Sequence, residues 1–337
     1  MQKKEDFELD YQPPFTITEK IMLHVASISE KLGNLSNFSN LESKPHLRKN
    51  NTVKSVHASV RIEANSLSFE KALDILNGKQ VLGDRKEIQE IKNAYAAYAE
   101  VSKLDIYNIE ELKRMHGLMM QYLLGEAGTF RKGEEGVFAG ETCVFMAPPA
   151  RLVGELMHQL FSWMQAKQGK VHPLLMAAVF HYEFVFIHPF SDGNGRMARL
   201  WHTAILSKWK PMFEFIPIES QIEKFQEDYY QAISASHRVG NSTPFLEFIL
   251  EKIDALLDEF ATQLRQEEGE QSKYVKALLE VMQPGVCYSA NEILAKLKLR
   301  SKETLRKHYL GPALSLGLVR MTLPDKPNSK NQQYVKI

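Results

Sequence analysis

FIHPFSDGNGRMARLW, residues 186–201, is the stretch from which the rest of the chain is read. It closes an apolar run, Leu174 to Phe190, that His181, Glu183 and His188 interrupt. That run reads as a buried helix rather than a membrane span. The helix is expected to end at His188-Pro189. Ser191-Asp192-Gly193-Asn194-Gly195 is a turn sequence with two glycines, and a new helix follows, carrying Arg196 and Arg199. Backbone N–H groups at a helix start, preceded by glycines, form a nest for an anion. Two arginines just inside the helix add charge-assisted donors suited to phosphate. Asp192, beside the nest, is placed to hold Mg²⁺ against phosphate oxygens. His188, just before it, suits a general base near neutral pH. Base, metal ligand, nest and arginine clamp together describe phosphoryl-type or nucleotidyl transfer.

Outward from this stretch nearly everything reads as helix. Ile17, Ile21, Met22, Val25, Ile28 and Leu32 form one stripe over 17–32, which stops at Gly33. Residues 34–50 are polar and read as a loop. Helices are predicted over about 51–64, from Ser68, and over about 83–103, 108–123, 150–167, 172–187, 193–208, 219–236 and 243–265. One segment departs from the pattern. Phe130 to Pro149 holds Gly133, Gly136 and Gly140, and two strand-like runs, Gly136-Val137-Phe138 and Thr142-Cys143-Val144-Phe145. They predict a short β-hairpin between helices, a natural flap over a site.

With 337 residues, the chain has room for two or three domains. Its 44% apolar and 25% charged residues exclude collagen, a mostly disordered chain and a membrane bundle. The formal net charge of +1 is unevenly spread. Residues 271–337 carry 12 lysines and arginines against four acids, so this part is +8 and the remainder −7. The tail reads as helix (273–282), helix (289–298), helix (301–316), then strands at Leu318–Leu323 and Gln332–Ile337, the order of a winged helix. QLRQEEGEQS, residues 263–272, reads as the linker before it. Cys143 and Cys287 make neither a disulfide framework nor a C-x-x-C motif, and the first residues lack a signal-type apolar core. A reducing, cytoplasmic setting is the simplest expectation.

The motif H-P-F-x-D-G-N-G-R-x-x-R, complete here from His188 to Arg199, resembles the signature of the Fic (filamentation induced by cAMP) family. Eight such matches by chance have odds on the order of 10⁻⁸. Leu112 to Arg131, the hairpin Val137 to Pro149 and Gly240 to Leu250 are also similar to family segments. The likeness covers roughly residues 50–260. It implies a mainly α fold: an N-terminal helical region (1–110), a catalytic core (111–262) with a flap at 130–149, and a winged helix-turn-helix domain at 273–337.

The resemblance also implies roles. His188 would deprotonate a target hydroxyl that attacks the α-phosphorus of ATP, and Asp192 would hold Mg²⁺. Gly193, Asn194 and Gly195 would stabilise developing charge through their N–H groups, with the Asn194 side chain helping. Arg196 and Arg199 would hold the β- and γ-phosphates. Glycine at 195 keeps the anion pocket open, which favours AMP transfer over phosphate transfer. Tyr229 and Tyr230 sit where members line the base pocket. Ser59-Val60-Arg61-Ile62-Glu63-Ala64 resembles the family's inhibitory motif S/T-x-x-x-E-G/N, with Ala64 departing from its last position. Glu63 would then pair with Arg199, the guanidinium that should hold the γ-phosphate. The flap, through Val137, Phe138, Thr142 and Val144, would add a strand to a protein substrate. The expected activity is thus autoinhibited protein adenylyl transfer. Two alternatives stay open: removal of AMP by the same site, and a DNA-binding regulator whose core only senses nucleotide. The basic tail could contact DNA or a protein, and a homodimer is also open.

Overall fold

The computed structural model describes residues 11–36, 45–139, 142–324, 326–327 and 329–337, without the side chains of 45–47, 137–139, 142–144 and 265–272. The chain divides into two compact units, residues 1–258 and 259–337.

The first unit is helical. Its elements are α1 (Glu19–Ser36), α2 (Pro45–Ile62), α3 (Phe69–Leu76), α4 (Arg85–Tyr98) and α5 (Ile109–Met119), then the hairpin β1 (Gly136–Ala139) and β2 (Thr142–Met146). α6 (Ala150–Ala166), α7 (Pro173–Ile187), α8 (Asn194–Trp209), α9 (Ile218–Lys224), α10 (Gln226–Val239) and α11 (Thr243–Val281) follow. α7 is apolar on every side and buried along its length, as an all-round apolar helix must be. His172 caps it by accepting the Leu174 N–H, and Pro173 occupies the first turn, where no N–H is needed. α8 packs along it, with Trp201 stacked on Phe180 of α7. The site-bearing turn thus sits between the two most buried helices. α2 packs against α4 and α9, which brings its C-terminal end to the start of α8.

Several local expectations are corrected. α1 runs through Gly33 to Ser36, and Ile17 and Met22 are exposed while Ile21, Ile28, Leu32 and Leu35 carry its buried face. α2 begins at Pro45, not near 51, so 45–50 is helix rather than loop; 37–44 lies outside the described residues. Polar Arg48, Lys49 and Asn50 mark solvent contact, not irregular backbone. The helix expected over 219–236 breaks at Phe225 into α9 and α10. Residues 263–272 belong to α11 and are no irregular linker. Gln, Arg and Glu are strong helix formers, and one glycine costs about 1 kcal/mol.

The second unit completes α11 and adds β3 (Cys287–Ser289), α12 (Ala290–Lys296), α13 (Lys302–Thr304), a π-helical turn (Leu305–Leu310), α14 (Gly311–Ser315), β4 (Val319–Met321) and β5 (Gln333–Lys336). β5 lies between β3 and β4, antiparallel to both, with Tyr334 opposite Tyr288 and Met321. Val275, Leu278, Tyr288, Ile293, Leu305 and Leu310 belong to its core. β3 was not expected, because three residues are too few to show strand alternation. The helix expected over 301–316, with a kink or split at Gly311-Pro312, runs unbroken from Lys302 to Ser315. It carries its irregularity as the π-helical turn just before that pair, where Pro312 has no N–H to give. Among the described residues no helix is long and apolar enough to cross a membrane.

Candidate active site at the junction of α7 and α8

His188 ends α7 with φ 52° and ψ 59°, the left-handed region that non-glycine residues occupy at a cost of about 1–2 kcal/mol. Its N–H bonds the Phe184 carbonyl, so the helix closes on the histidine itself. Arg131 fixes the geometry from outside. This buried guanidinium donates to the carbonyls of His188 (2.7 Å), Gly133 (2.8 Å), Pro148 (2.6 Å) and Ile187 (3.3 Å). Its own N–H bonds Pro189. One side chain therefore ties both roots of the hairpin to the residue that ends α7. His188 Nδ1 lies 3.3 Å from the Val185 carbonyl, which places its proton there and leaves Nε2 as the basic atom. Burial lowers the His188 pKa below its ordinary value, against the Val185 bond, so the ring is neutral at pH 7.

The turn after it is braced from within. Asn194 accepts the Phe190 N–H (2.9 Å) and donates to the Phe190 carbonyl (2.7 Å). Its side chain, expected to face phosphate, instead closes the turn, and its backbone N–H is what remains for an anion. His116, fully buried on α5, supplies a second brace. It stacks on Phe190 with ring centroids 3.6 Å apart. The Gly128 N–H donates to its Nδ1, so Nε2 must carry the proton that binds the Asp192 carbonyl. Burial pushes its pKa down to about 4, which keeps that tautomer in force. Gly193 takes φ 83°, and a Cβ there would meet Met120 Sδ at 2.8 Å, so glycine is required twice over. No side chain caps α8, whose first N–H groups lack intrahelical partners by helix geometry. Asp192, half-exposed, bonds the Gly193 N–H and Arg196 Nη2.

Arg199 is nearly inaccessible, yet it meets the end of α2. Its Nε donates to Ser59 Oγ (3.1 Å) and its Nη2 to the Ser59 carbonyl (2.9 Å) and Glu63 Oε1 (2.7 Å). Burial alone would lower its pKa, but the Glu63 carboxylate outweighs this and raises it. A Cβ on Gly195 would collide with that same carboxylate, which therefore lies directly on the start of α8. Glu63 sits just past the last residue of α2, at its C-cap. The Asn65 N–H bonds the Val60 carbonyl and the Ala64 N–H the Arg61 carbonyl, a Schellman closure. Ala64 takes the left-handed position, φ 68°, that glycine ordinarily fills. Gln226 adds a bond from Nε2 to the Ile62 carbonyl.

The tyrosines separate. Tyr229 is 2% exposed and bonds His181 Nε2, so it belongs to the core beneath Arg199 rather than to an open pocket wall. Tyr230, 48% exposed, stands beside Gln226 on the surface. The hairpin pairs Val137 with Phe145, Phe138 with Cys143 and Ala139 with Thr142. The side chains of Val137, Phe138, Thr142 and Val144 lie outside the described set. An open cleft of about 570 Å³ beside Tyr107 and Trp209 lies at the far end of α8, away from this chemistry. Sequence reading named no role for His116, Arg131, Glu90, Asn65 or Gln226. A histidine and an arginine in the apolar stretch before the hairpin were the available signals for the first two.

The Fic/DOC family model matches residues 106–206, and that of the C-terminal domain of Fic-like filamentation-induced-by-cAMP proteins matches residues 273–335. The crystal structure of a Fic family protein from Desulfovibrio desulfuricans G20 is 38% identical, covers 97% of this chain and 98% of that one, and superposes with a TM-score of 0.73. Fic-1 from C. elegans shares the fold at 20% identity, with 73% of each chain covered and a TM-score of 0.62. Protein adenylyltransferase Fic of Aedes aegypti is 28% identical over 216 residues, 61% of this chain and 41% of that protein. The corresponding protein of Culex quinquefasciatus is 29% identical over the same shares. The chain thus spans about 41% of the length of these curated relatives.

Proposed function

The chain belongs to the Fic/DOC family, and on that premise we propose that it is a protein adenylyltransferase held off by Glu63. One observation carries the reading: Glu63 pairs with Arg199 and lies against Gly195 at the uncapped start of α8, the helix that follows the His188 turn. In the reaction a side-chain hydroxyl of a target protein attacks the α-phosphorus of ATP. Its proton passes to His188 Nε2, the new P–O bond forms, and the α–β bridge breaks to release pyrophosphate. The N–H groups of Asn194 and Gly195 stabilise charge gathering on the α-phosphate oxygens. Arg199 and Arg196 bind the β- and γ-phosphates.

Asp192 offers a half-exposed carboxylate of hard oxygen donors at the nest, a set that fits Mg²⁺. Among the described residues no group of three or more acids, histidines or cysteines could hold a metal, so the ion would rest on Asp192 and the nucleotide. When bound, it would neutralise phosphate charge.

Glu63 opposes this chemistry in two ways. It occupies the guanidinium edge of Arg199 and the space against Gly195. A nucleotide bound beside it would hold its α-phosphate out of line, and misplacement by about 1 Å costs about 100-fold in rate. The hairpin, anchored by Arg131, would present an edge to the target strand.

Incubation with α-labelled ATP and Mg²⁺, with and without cell lysate, tests the reading. Glu63→Gly should raise protein-bound label at least tenfold over the native chain, and His188→Ala in that background should abolish it. Loss of label from a pre-labelled protein only when Glu63 is present would instead establish AMP removal with Glu63 orienting water.

The second unit supports a separate proposal, contact with duplex DNA. Lys298, Arg300, Lys302, Arg306 and Lys307 are all exposed along one stretch that includes α13. Phosphate contacts would make binding fall steeply with salt. Unchanged duplex affinity in a Lys302→Ala, Arg306→Ala, Lys307→Ala variant would sink it.

A further inference from the structure

Arg196, the first of the two arginines on α8, is held from outside the motif as well as from within it. Its Nη1 lies 3.6 Å from Glu90 Oε1 on α4, and its Nη2 lies 3.1 Å from Asp192 Oδ1. Its Nε has no hydrogen-bond partner among the described residues. Glu90 is only 8% exposed. A carboxylate so withdrawn from water needs a cation or strong donors beside it. Glu90 has both, because Asn65 Nδ2 donates to its other oxygen at 2.8 Å. Asn65 is 3% exposed and spends its remaining capacity locally, on the Glu87 carbonyl (3.1 Å) and the Leu67 N–H (3.1 Å). The next residue, Ser66, bonds the Glu87 carboxylate through its N–H and its hydroxyl. The turn that carries Glu63 is therefore stitched to α4 at two successive turns of that helix.

We propose that Glu90 is the positioning residue for Arg196. It holds the Nη1 corner of the guanidinium, while Nη2 rests on Asp192 and Nε has no hydrogen-bond partner among the described residues. With Asp192 drawn to Mg²⁺, the Nε and Nη2 edge would be released for phosphate. Through Asn65 it also ties that guanidinium to the turn that presents Glu63. Each of the two arginines thus meets a carboxylate from outside the motif: Arg199 meets Glu63, which blocks, and Arg196 meets Glu90, which orients, besides Asp192 within the motif. The difference is chemical. Glu63 lies on the start of α8, in the way of an anion, whereas Glu90 stands behind Arg196 on another helix. Without Glu90 the guanidinium would have Asp192 as its sole carboxylate, and nothing would hold it in place once that carboxylate turned to Mg²⁺. This inference rests on the adenylyltransferase reading for the identity of the ligand.

The test compares Glu63→Gly with Glu63→Gly/Glu90→Gln by calorimetric titration of ATP and, separately, of AMP, each with Mg²⁺. Loss of one partner from a buried charge-assisted pair should raise the Kd for ATP about tenfold. AMP, which lacks the phosphates assigned to Arg196, should bind within about twofold of the parent. Glu90→Asp should recover part of the ATP affinity. Equal weakening of AMP and ATP would mean general damage to the site and overturn the proposal, as would no change in either. If Glu90→Gln does not fold, Asn65→Ser, which leaves Arg196 paired, should raise the ATP Kd about threefold and spare AMP. An unchanged ATP Kd there would overturn it equally. A Glu63→Gly parent that binds no ATP brings down the transferase reading and this inference together. A parent that binds ATP while Glu90→Gln behaves identically brings down this inference alone.

Discussion

Two helix ends meet at the site, and each involves a non-glycine residue in the left-handed region: His188 at the end of α7, with φ 52°, and Ala64 just past α2, with φ 68°. They are held differently. His188 is clamped by Arg131 through its carbonyl, and the turn beyond it is braced by Asn194 and by the stacked ring of His116. These braces are buried, so no water competes for the bonds. The α2 end has its own Schellman bonds, one bond from Gln226, the surface pair Arg61–Glu223 at 3.2 Å, and the bonds of Asn65 and Ser66 to α4 just beyond it. Glu63 and Ala64 are exposed. The residue proposed as the base is thus enclosed by buried bonds, and the carboxylate proposed to oppose it stands at an exposed helix end whose next turn is tied to α4. A brake has to be releasable, whereas a general base has to stay where its proton transfer is aligned.

The largest test of that contrast removes the clamp. Arg131→Met leaves buried carbonyls without their donor and should cost about 3 kcal/mol or more in urea unfolding. In the Glu63→Gly background label transfer should fall about 100-fold as His188 loses its alignment. Native stability and rate in this variant would break the comparison. A pH profile sharpens the other half. Burial lowers the His188 pKa below 6.5, so the unprotonated base predominates above that value and is lost as pH falls through the lowered pKa. In Glu63→Gly, kcat/KM should therefore be flat from about pH 7 upward and fall only on the acid side of 6.5. A limb still rising above pH 7 would contradict the assignment of the base.

At the α2 end the effects are smaller. Ala64→Gly relieves a left-handed alanine and should raise stability by about 1 kcal/mol. A firmer turn should also lower the basal label transfer of the otherwise native chain. A loss of stability would mean that the α2 end is not closed as described. The smallest effect is expected of Arg61→Ala, since its pair with Glu223 is nearly half solvated and worth at most about 0.5 kcal/mol. A large rise in label transfer from this change alone would show that the brake hangs on one surface ion pair.

How much of this was legible differs along the chain. α7, α8 and the turn between them follow from sequence almost to the residue, because an unbroken apolar run, a proline and paired glycines are strong local signals. The hairpin was legible from its glycines and β-branched residues. Less was visible where polarity stood in for structure. The polar stretches at 45–50 and 263–272 read as irregular yet are helical, since side-chain polarity and backbone regularity are separate properties. The resemblance puts Tyr229 near a base pocket, and its position on α10 places it in the core against His181. The helix phase that decides this depends on a break at Phe225 that periodicity did not show.

By itself the sequence determined the mainly helical fold and the chemistry gathered between His188 and Arg199. Those residues lie within a dozen positions, and chain stereochemistry brings them together whatever surrounds them. Only the tertiary structure decided that Asn194 braces the turn instead of facing outward, and that Glu63, 136 positions from Arg199, reaches it at 2.7 Å. It alone decided that Arg131 binds the His188 carbonyl and that Asn65 and Glu90 stand behind Arg196. These are contacts between elements. Their partners are chosen by how helices pack and by the need of every buried charge for a counterpart, and neither leaves a mark in residue spacing.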